Sequence, residues 1–207
     1  MTQIAVFVSG GGTNLQALID KEKAKELGEG RLKLVISSNE NAYAIERAKA
    51  AGIETLVLSK KAYSSQEALD EALLSALGSR DISLVVLAGY MQIISPAVTG
   101  AYKNRMINVH PSLIPSFCGE GFYGLHVHRA ALASGVKVTG ATVHFVSDVV
   151  DGGAIIAQRA VCVLEGDTPE TLQQRVMEEA EWKILGEAVR LFCAGKIRVE
   201  GSRAFID

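Results

Sequence analysis

The stretch Ile4-Ala5-Val6-Phe7-Val8-Ser9-Gly10-Gly11-Gly12-Thr13-Asn14-Leu15 decides the fold. Its first five residues are an unbroken apolar run with no polar alternation, the pattern of a strand buried on both faces. Ser9 and the glycines end that strand, and Leu15, Leu18 and Ile19 then fall on one face of a helix running from Asn14 to about Lys25. A buried strand feeding an amphipathic helix through a tight glycine turn is the opening half of a βαβ unit.

The same alternation continues downstream. Leu32 to Ile36 reads as a second strand, and Ala42 to Ala51 as a helix closed by Gly52. Thr55 to Leu58 is a third strand. Gln66 to Leu77 is a helix closed by Gly78, and Ile82 to Ala88 is the fourth and most apolar strand. Strands separated by helices imply right-handed crossovers and a parallel sheet, whose ligands bind at the carboxyl ends of the strands. Beyond this the pattern changes. Pro96 starts a short helix, Met106 to Val109 is a strand, Pro111 to Gly124 is irregular, and His128 to Ser134 is helical. Val136 to Val146 and Ala154 to Leu164 read as strands joined by the turn Ser147 to Gly153, an antiparallel hairpin. Asp167 or Thr168 caps a last helix, with Pro169 in its first turn, that runs to about Cys193; the tail Lys196 to Asp207 adds an edge strand. The expected fold class is α/β: three layers, α/β/α, around a mostly parallel twisted sheet, Rossmann-like in its N-terminal part and extended by antiparallel strands at its C-terminal end.

Composition bounds the function. The chain has 207 residues, 48% apolar and 21% charged, with a formal net charge of −2. That suits one globular domain over residues 1–207 and argues against nucleic-acid binding through a large positive field. No apolar run approaches the ~20 residues of a membrane span, and no leader pattern precedes Ile4, so a cytoplasmic protein is expected. The three cysteines, Cys118, Cys162 and Cys193, form no C-x-x-C pair and suggest neither disulfides nor a zinc knuckle.

Three segments carry chemistry. The glycine loop can bring main-chain N–H groups at a helix start against an anion such as phosphate, with Thr13 and Asn14 as side-chain donors. A dinucleotide fits less well, because Leu15 occupies the third glycine position of G-x-G-x-x-G and the second strand ends at Ser37-Ser38-Asn39, without an acid. Asn108 and His110, two apart at a strand end, share a face. An amide donor beside an imidazole suits acyl transfer, the first stabilising an oxyanion and the second moving a proton. The turn Asp148-Val149-Val150-Asp151-Gly152-Gly153 supplies carboxylates, one of which beside His110 would favour imidazolium and raise its pKa. Among the four histidines, His126-Val127-His128 is the spacing that raises a zinc site with Asp148 or Asp151, but no H-E-x-x-H is present and no metal is expected. His128 is instead expected at the surface, and His126 and His144 hydrogen-bonded near the pocket.

Taken together, Ser9 to Gln16, Leu87-Ala88-Gly89-Tyr90-Met91, Asn108 to Pro115, and His144-Phe145-Val146 followed by Asp148 and Asp151-Gly152-Gly153 resemble the phosphoribosylglycinamide formyltransferase family in order along nearly the whole chain. The resemblance implies transfer of the formyl group of 10-formyltetrahydrofolate, a co-substrate, to the amine of 5-phosphoribosylglycinamide in purine synthesis. It assigns Asn108, His110 and Asp151 to catalysis, Gly12, Thr13 and Asn14 to the substrate phosphate, and Glu181 to the ribosyl substrate, the last only if one residue is inserted after Arg175. Met91, Gln92, Ile93, Ile94, Asn108, Ser147 and Asp148 are assigned to the folate. Residues 1–100 would then be the phosphate-binding part and 101–207 the catalytic and folate-binding part. The implied partners are small molecules, with no nucleic acid and no membrane, for a monomer or homodimer. Pro115 to His126 is longer than the corresponding loop of many relatives, and Gln66 stands where they often carry an arginine for the folate's glutamate tail. The alternative is a formyltetrahydrofolate deformylase, which uses a similar trio with water as acceptor; a nucleotide-binding module would instead predict NAD(P).

Overall fold

The computed structural model describes residues 1–207. Nine strands form one sheet in the order β3-β2-β1-β4-β5-β6-β7-β9-β8. In chain order they are β1 (Thr2–Val8), β2 (Gly30–Ser37), β3 (Glu54–Val57), β4 (Leu84–Leu87), β5 (Met106–His110), β6 (Val138–Phe145), β7 (Ile155–Cys162), β8 (Ile197–Glu200) and β9 (Arg203–Ile206). The strands from β3 to β5 are parallel, and β5, β6 and β7 pair antiparallel, the expected hairpin. The tail forms two strands rather than one: β9 joins β7 in parallel, and β8 turns back along β9 as the outer edge.

Burial on both faces explains the apolar runs. Ile4, Val6 and Val8 point into one core and Ala5 and Phe7 into the other, all at 0% exposure. Helices α1 (Thr13–Lys23), α2 (Tyr43–Ala50), α6 (Pro169–Val176) and α7 (Trp182–Cys193) cover the first face. Helices α3 (Gln66–Gly78) and α4 (Pro96–Ala101) cover the second. These are the three expected layers. Helix α5 (Leu125–Ala133) begins three residues before the expected His128, because the main chain already turns helical after Gly124.

The expected last helix is one unit with a flaw in it. Thr168 caps α6, exchanging hydrogen bonds with Thr171, and Pro169 occupies its first turn. Between α6 and α7, Met177–Glu181 form a π-helical turn. A π turn is an α-helix carrying one extra residue, so the helix resumes with its register advanced.

Strand order reverses between β1 and β4: β2 and β3 extend to one side, β4 and β5 to the other. The crevice at such a reversal, outside the carboxyl ends of the strands, is the ligand site of open α/β sheets. The glycine loop after β1, residues 88–95 after β4 and residues 111–124 after β5 meet there. Ser9 Oγ ties the first two of these loops together, accepting from the Met91 N–H at 2.9 Å.

Candidate active site

Strand register brings the polar groups together. Ile107 and Val109 of β5 face the larger core, so Asn108 and His110 project from the opposite face. Asn108 lies opposite His144 and His110 opposite Thr142 on β6. Asn108 Nδ2 comes within 3.2 Å of His144 Nε2, while His144 Nδ1 bonds the Phe145 carbonyl at 2.8 Å.

Asp151 reaches this group from the β6–β7 turn. Its own φ is +54°, and Gly153 passes so close to β6 that a Cβ there would sit 1.8 Å from the Phe145 carbonyl oxygen. The two glycines after Asp151 are therefore a steric requirement for delivering the carboxylate. Asp151 Oδ2 lies 3.6 Å from His110 Nδ1, and Oδ1 lies 3.5 Å from His144 Nε2 and from Asn108 Nδ2. The Gly119 N–H donates to Oδ2 at 2.9 Å. Burial pushes the Asp151 carboxyl up, but His144, the charge of His110 and the Gly119 amide together hold it below the ordinary range.

His110 departs from expectation. Its Nε2–H donates to the Phe117 carbonyl at 2.8 Å, and the side chain is 5% exposed. Burial, the largest influence, pulls the imidazole below the ordinary histidine value, outweighing the opposing pull of Asp151 and Phe117. Asp151 was expected to raise this pKa above the ordinary value and keep the ring charged. Instead desolvation wins and the resting imidazole is neutral at pH 7.

These groups open onto a cavity of about 350 Å³ lined by Met91, Gln92, Ile93 and Ile94 on one side and Ser147, Asp148 and Asp151 on the other, with the loop Gly119–Gly124 as a further wall. The residues expected to line the folate's ring pocket thus do line one cavity, drawn from both halves of the chain. Met91 and Ile93 are exposed apolar side chains at its rim. Asp148 is held by Thr99, whose Oγ1–H donates at 2.6 Å. A smaller adjoining cavity of about 230 Å³ shares Tyr90, Gln92, Ile93 and Ile94, and adds Lys60 and Gln66.

The glycine loop lies at the carboxyl end of β1, two strands from β5, or about 10 Å at ~4.8 Å per strand. Gly12 adopts φ +71° where a Cβ would stand 2.6 Å from Ala44 Cβ, so α2 packs against the loop only because residue 12 is glycine. No side chain caps the first turn of α1, leaving main-chain N–H groups there without an internal partner. Thr13 Oγ1 contacts Met177 Sδ at 3.5 Å, and Asn14 Nδ2 donates to Glu181 Oε2 at 2.7 Å, while Asn14 Oδ1 is buried without a partner. Glu181 is buried, and burial, opposed only by Asn14, pushes its carboxyl up to about 7. Glu181 is the last residue of the π turn.

Two histidine expectations are corrected. His128 is fully buried, not at the surface, because it lies with Val127 and Ala131 on the inward face of α5; burial lowers it to about 4, with the charge of His110 acting in the same direction. His126 is exposed and packs edge-on against Tyr123 at 5.0 Å, without a side-chain hydrogen bond. His144 is hydrogen-bonded beside the cavity as expected. The main-chain contribution of Phe117 and Gly119 was not legible in the sequence; the density of glycines around the loop is its only local sign.

The formyl transferase family model matches residues 2–189. The phosphoribosylglycinamide formyltransferase of Escherichia coli (strain K12) is 39% identical over 99% of this chain and 93% of its own length. The crystal structure of glycinamide ribonucleotide transformylase 1 from Symbiobacterium toebii superposes with a TM-score of 0.93 at 46% identity, covering 100% of this chain and 94% of that one. A formyltetrahydrofolate deformylase from Burkholderia mallei is more distant, with a TM-score of 0.87 at 29% identity, and this chain covers 70% of it. With a shared fold, near-complete coverage in both directions and the amide, imidazole and carboxylate gathered at one crevice, this chain belongs to the formyl transferase family, in its phosphoribosylglycinamide formyltransferase branch.

Proposed function

We propose that this protein transfers the formyl group of 10-formyltetrahydrofolate to the amine of 5-phosphoribosylglycinamide, giving the N-formyl product and tetrahydrofolate, a step of purine synthesis. The observation that carries the reading is the convergence of Asn108, His110 and Asp151 at a cavity at the end of β5, two strands from the glycine loop at the end of β1.

The substrate amine attacks the formyl carbon, and the carbonyl electron pair moves onto oxygen. Asn108 Nδ2 donates to that oxyanion. Neutral His110 accepts the proton released by the attacking amine, and the imidazolium is stabilised by Asp151. The same proton passes to the folate nitrogen as the carbon–nitrogen bond to it breaks. The low resting pKa of His110 suits this order, since the ring is empty of its second proton when the reaction begins. No serine or cysteine nucleophile takes part, and no acyl-enzyme forms.

Gly12, Thr13 and Asn14 hold the substrate phosphate through the uncapped start of α1. Glu181 lies beneath Asn14 and enters this site through the Asn14 amide. Met91 to Ile94, Ser147 and Asp148 hold the folate ring, and Lys60 on the adjoining cavity offers a cation to its acidic tail in place of the missing arginine. The molecule works as a monomer or homodimer on small-molecule substrates.

The competing activity is hydrolysis of the formyl-folate. Absorbance of the tetrahydrofolate product, followed with and without phosphoribosylglycinamide, separates the two. Product only in the presence of the acceptor is the expected result; equal product without it would make the protein a deformylase.

A further inference from the structure

The loop between β5 and α5 touches both His110 and Asp151 through its main chain. The Phe117 carbonyl receives the His110 Nε2–H at 2.8 Å, and two residues later the Gly119 N–H donates to Asp151 Oδ2 at 2.9 Å. No side chain of the loop bonds either group. The backbone is strained at the first of these contacts: Phe117 has φ +50°, a left-handed conformation that a non-glycine residue rarely adopts. The loop is built to hold that conformation. Ser112 Oγ–H donates to the Ser116 carbonyl at 2.6 Å, the Phe122 N–H donates to the Gly119 carbonyl at 3.1 Å, and the Phe117 and Phe122 rings pack at 6.4 Å.

We infer that Phe117 and Gly119 form a main-chain clamp that sets the tautomer of His110 and holds Asp151 beside it, so that both are positioning residues for the reaction. With Nε2 committed as a donor to a carbonyl, the neutral ring carries its lone pair on Nδ1, the nitrogen 3.6 Å from Asp151. A proton taken up by the ring then arrives next to the carboxylate. Strain at Phe117 is tolerated because it turns the carbonyl toward His110, where a relaxed φ would point it elsewhere.

The clamp rests on the formyl-transfer reading for its consequence in turnover but not for its structure, and the test separates the two. Nitrogen-15 spectra of histidine-labelled protein report the tautomer without any substrate. In the wild-type protein at pH 7, His110 is expected to be protonated on Nε2 alone. Two variants remove the clamp: Gly119→Pro, which lacks the N–H, and a chain in which residues 117–122 are replaced by two glycines. In the shortened chain His110 is expected to populate a mixture of tautomers, and in both variants kcat is expected to fall about 10–100-fold with a much smaller change in KM for the formyl donor. A wild-type His110 protonated on Nδ1, or a folded variant with an unchanged tautomer and kcat, overturns the clamp. Absence of formyl transfer in the wild-type protein, with the Nε2–H tautomer present, would instead overturn the assigned reaction and leave the clamp standing.

Discussion

Asp151, partly buried, and Glu181, buried, are carboxylates beside one crevice whose pKa values are shifted in opposite directions. Asp151 sits where a strand, a turn and a loop converge, and faces His144, His110, Asn108 and the Gly119 amide. Glu181 sits inside a helix at the π turn and has the Asn14 amide as its one side-chain partner. Desolvation disfavours the charge of each; in Asp151 the surrounding donors outweigh it, and in Glu181 they do not. Depth and the donors at that depth together set a carboxylate's charge. A junction of loops aims more donors at Asp151 than the flank of a helix aims at Glu181, which is also the more deeply buried of the two.

The largest test of this contrast concerns the group that Asp151 serves. His110→Ala is expected to lower turnover about 10²–10⁴-fold while the circular dichroism spectrum stays native. Near wild-type turnover would remove His110 from the chemistry. Asn108→Ala removes the oxyanion donor and should lower kcat about 10²–10³-fold with little change in substrate KM; an effect on KM alone would make Asn108 a binding residue. Asp151→Asn keeps the shape and removes the charge. An opposite charge at this range moves a neighbour's pKa by about 1–3, so turnover should fall about 10–10³-fold and the apparent pKa of the His110 limb should move to lower pH. An unchanged pH profile would mean that Asp151 is not the charge partner.

The remaining test reads Glu181 against His128, through stability. The Glu181 pKa is raised from 4.5 to about 7, so its contribution is fully present below 4.5 and is lost as pH rises toward 7. The His128 pKa is lowered from 6.5 to about 4, so stability is intact above 6.5 and is lost as pH falls through this window, when the unfolded chain gains a proton that the fold refuses. Each is worth at most about 3 kcal/mol, and the two slopes oppose one another between pH 4.5 and 6.5. Glu181→Gln should therefore expose a stability that climbs with pH across that interval, and His128→Gln one that declines. Urea midpoints at pH 5 and 6.5 check both; two variants with the same slope would refute the opposition.

Much of this was legible in the sequence. Uninterrupted apolar runs between helical patterns predict a parallel sheet, and the glycine loop after β1 predicts where an anion is met. The N-x-H spacing at the end of β5 places its two polar side chains on one face with no tertiary information. The tail was harder, because a short exposed strand carries too few apolar residues to distinguish one edge strand from two. His128 misled because the helix start cannot be located within a glycine-rich approach, and without Val127 in the helix the buried face that His128 shares with Val127 and Ala131 is not visible in the pattern.

Local periodicity, then, determined which elements exist, their order, and which strand ends carry reactive groups, since these depend on neighbours a few residues apart. Only the tertiary structure decided that His144 stands against Asn108, that Asp151 arrives across a turn 43 residues further on, that a π turn brings Glu181 to Asn14, and that His110 rests neutral. Those outcomes depend on strand register and on competition between desolvation and distant donors. Neither quantity exists until segments far apart in the chain have packed together.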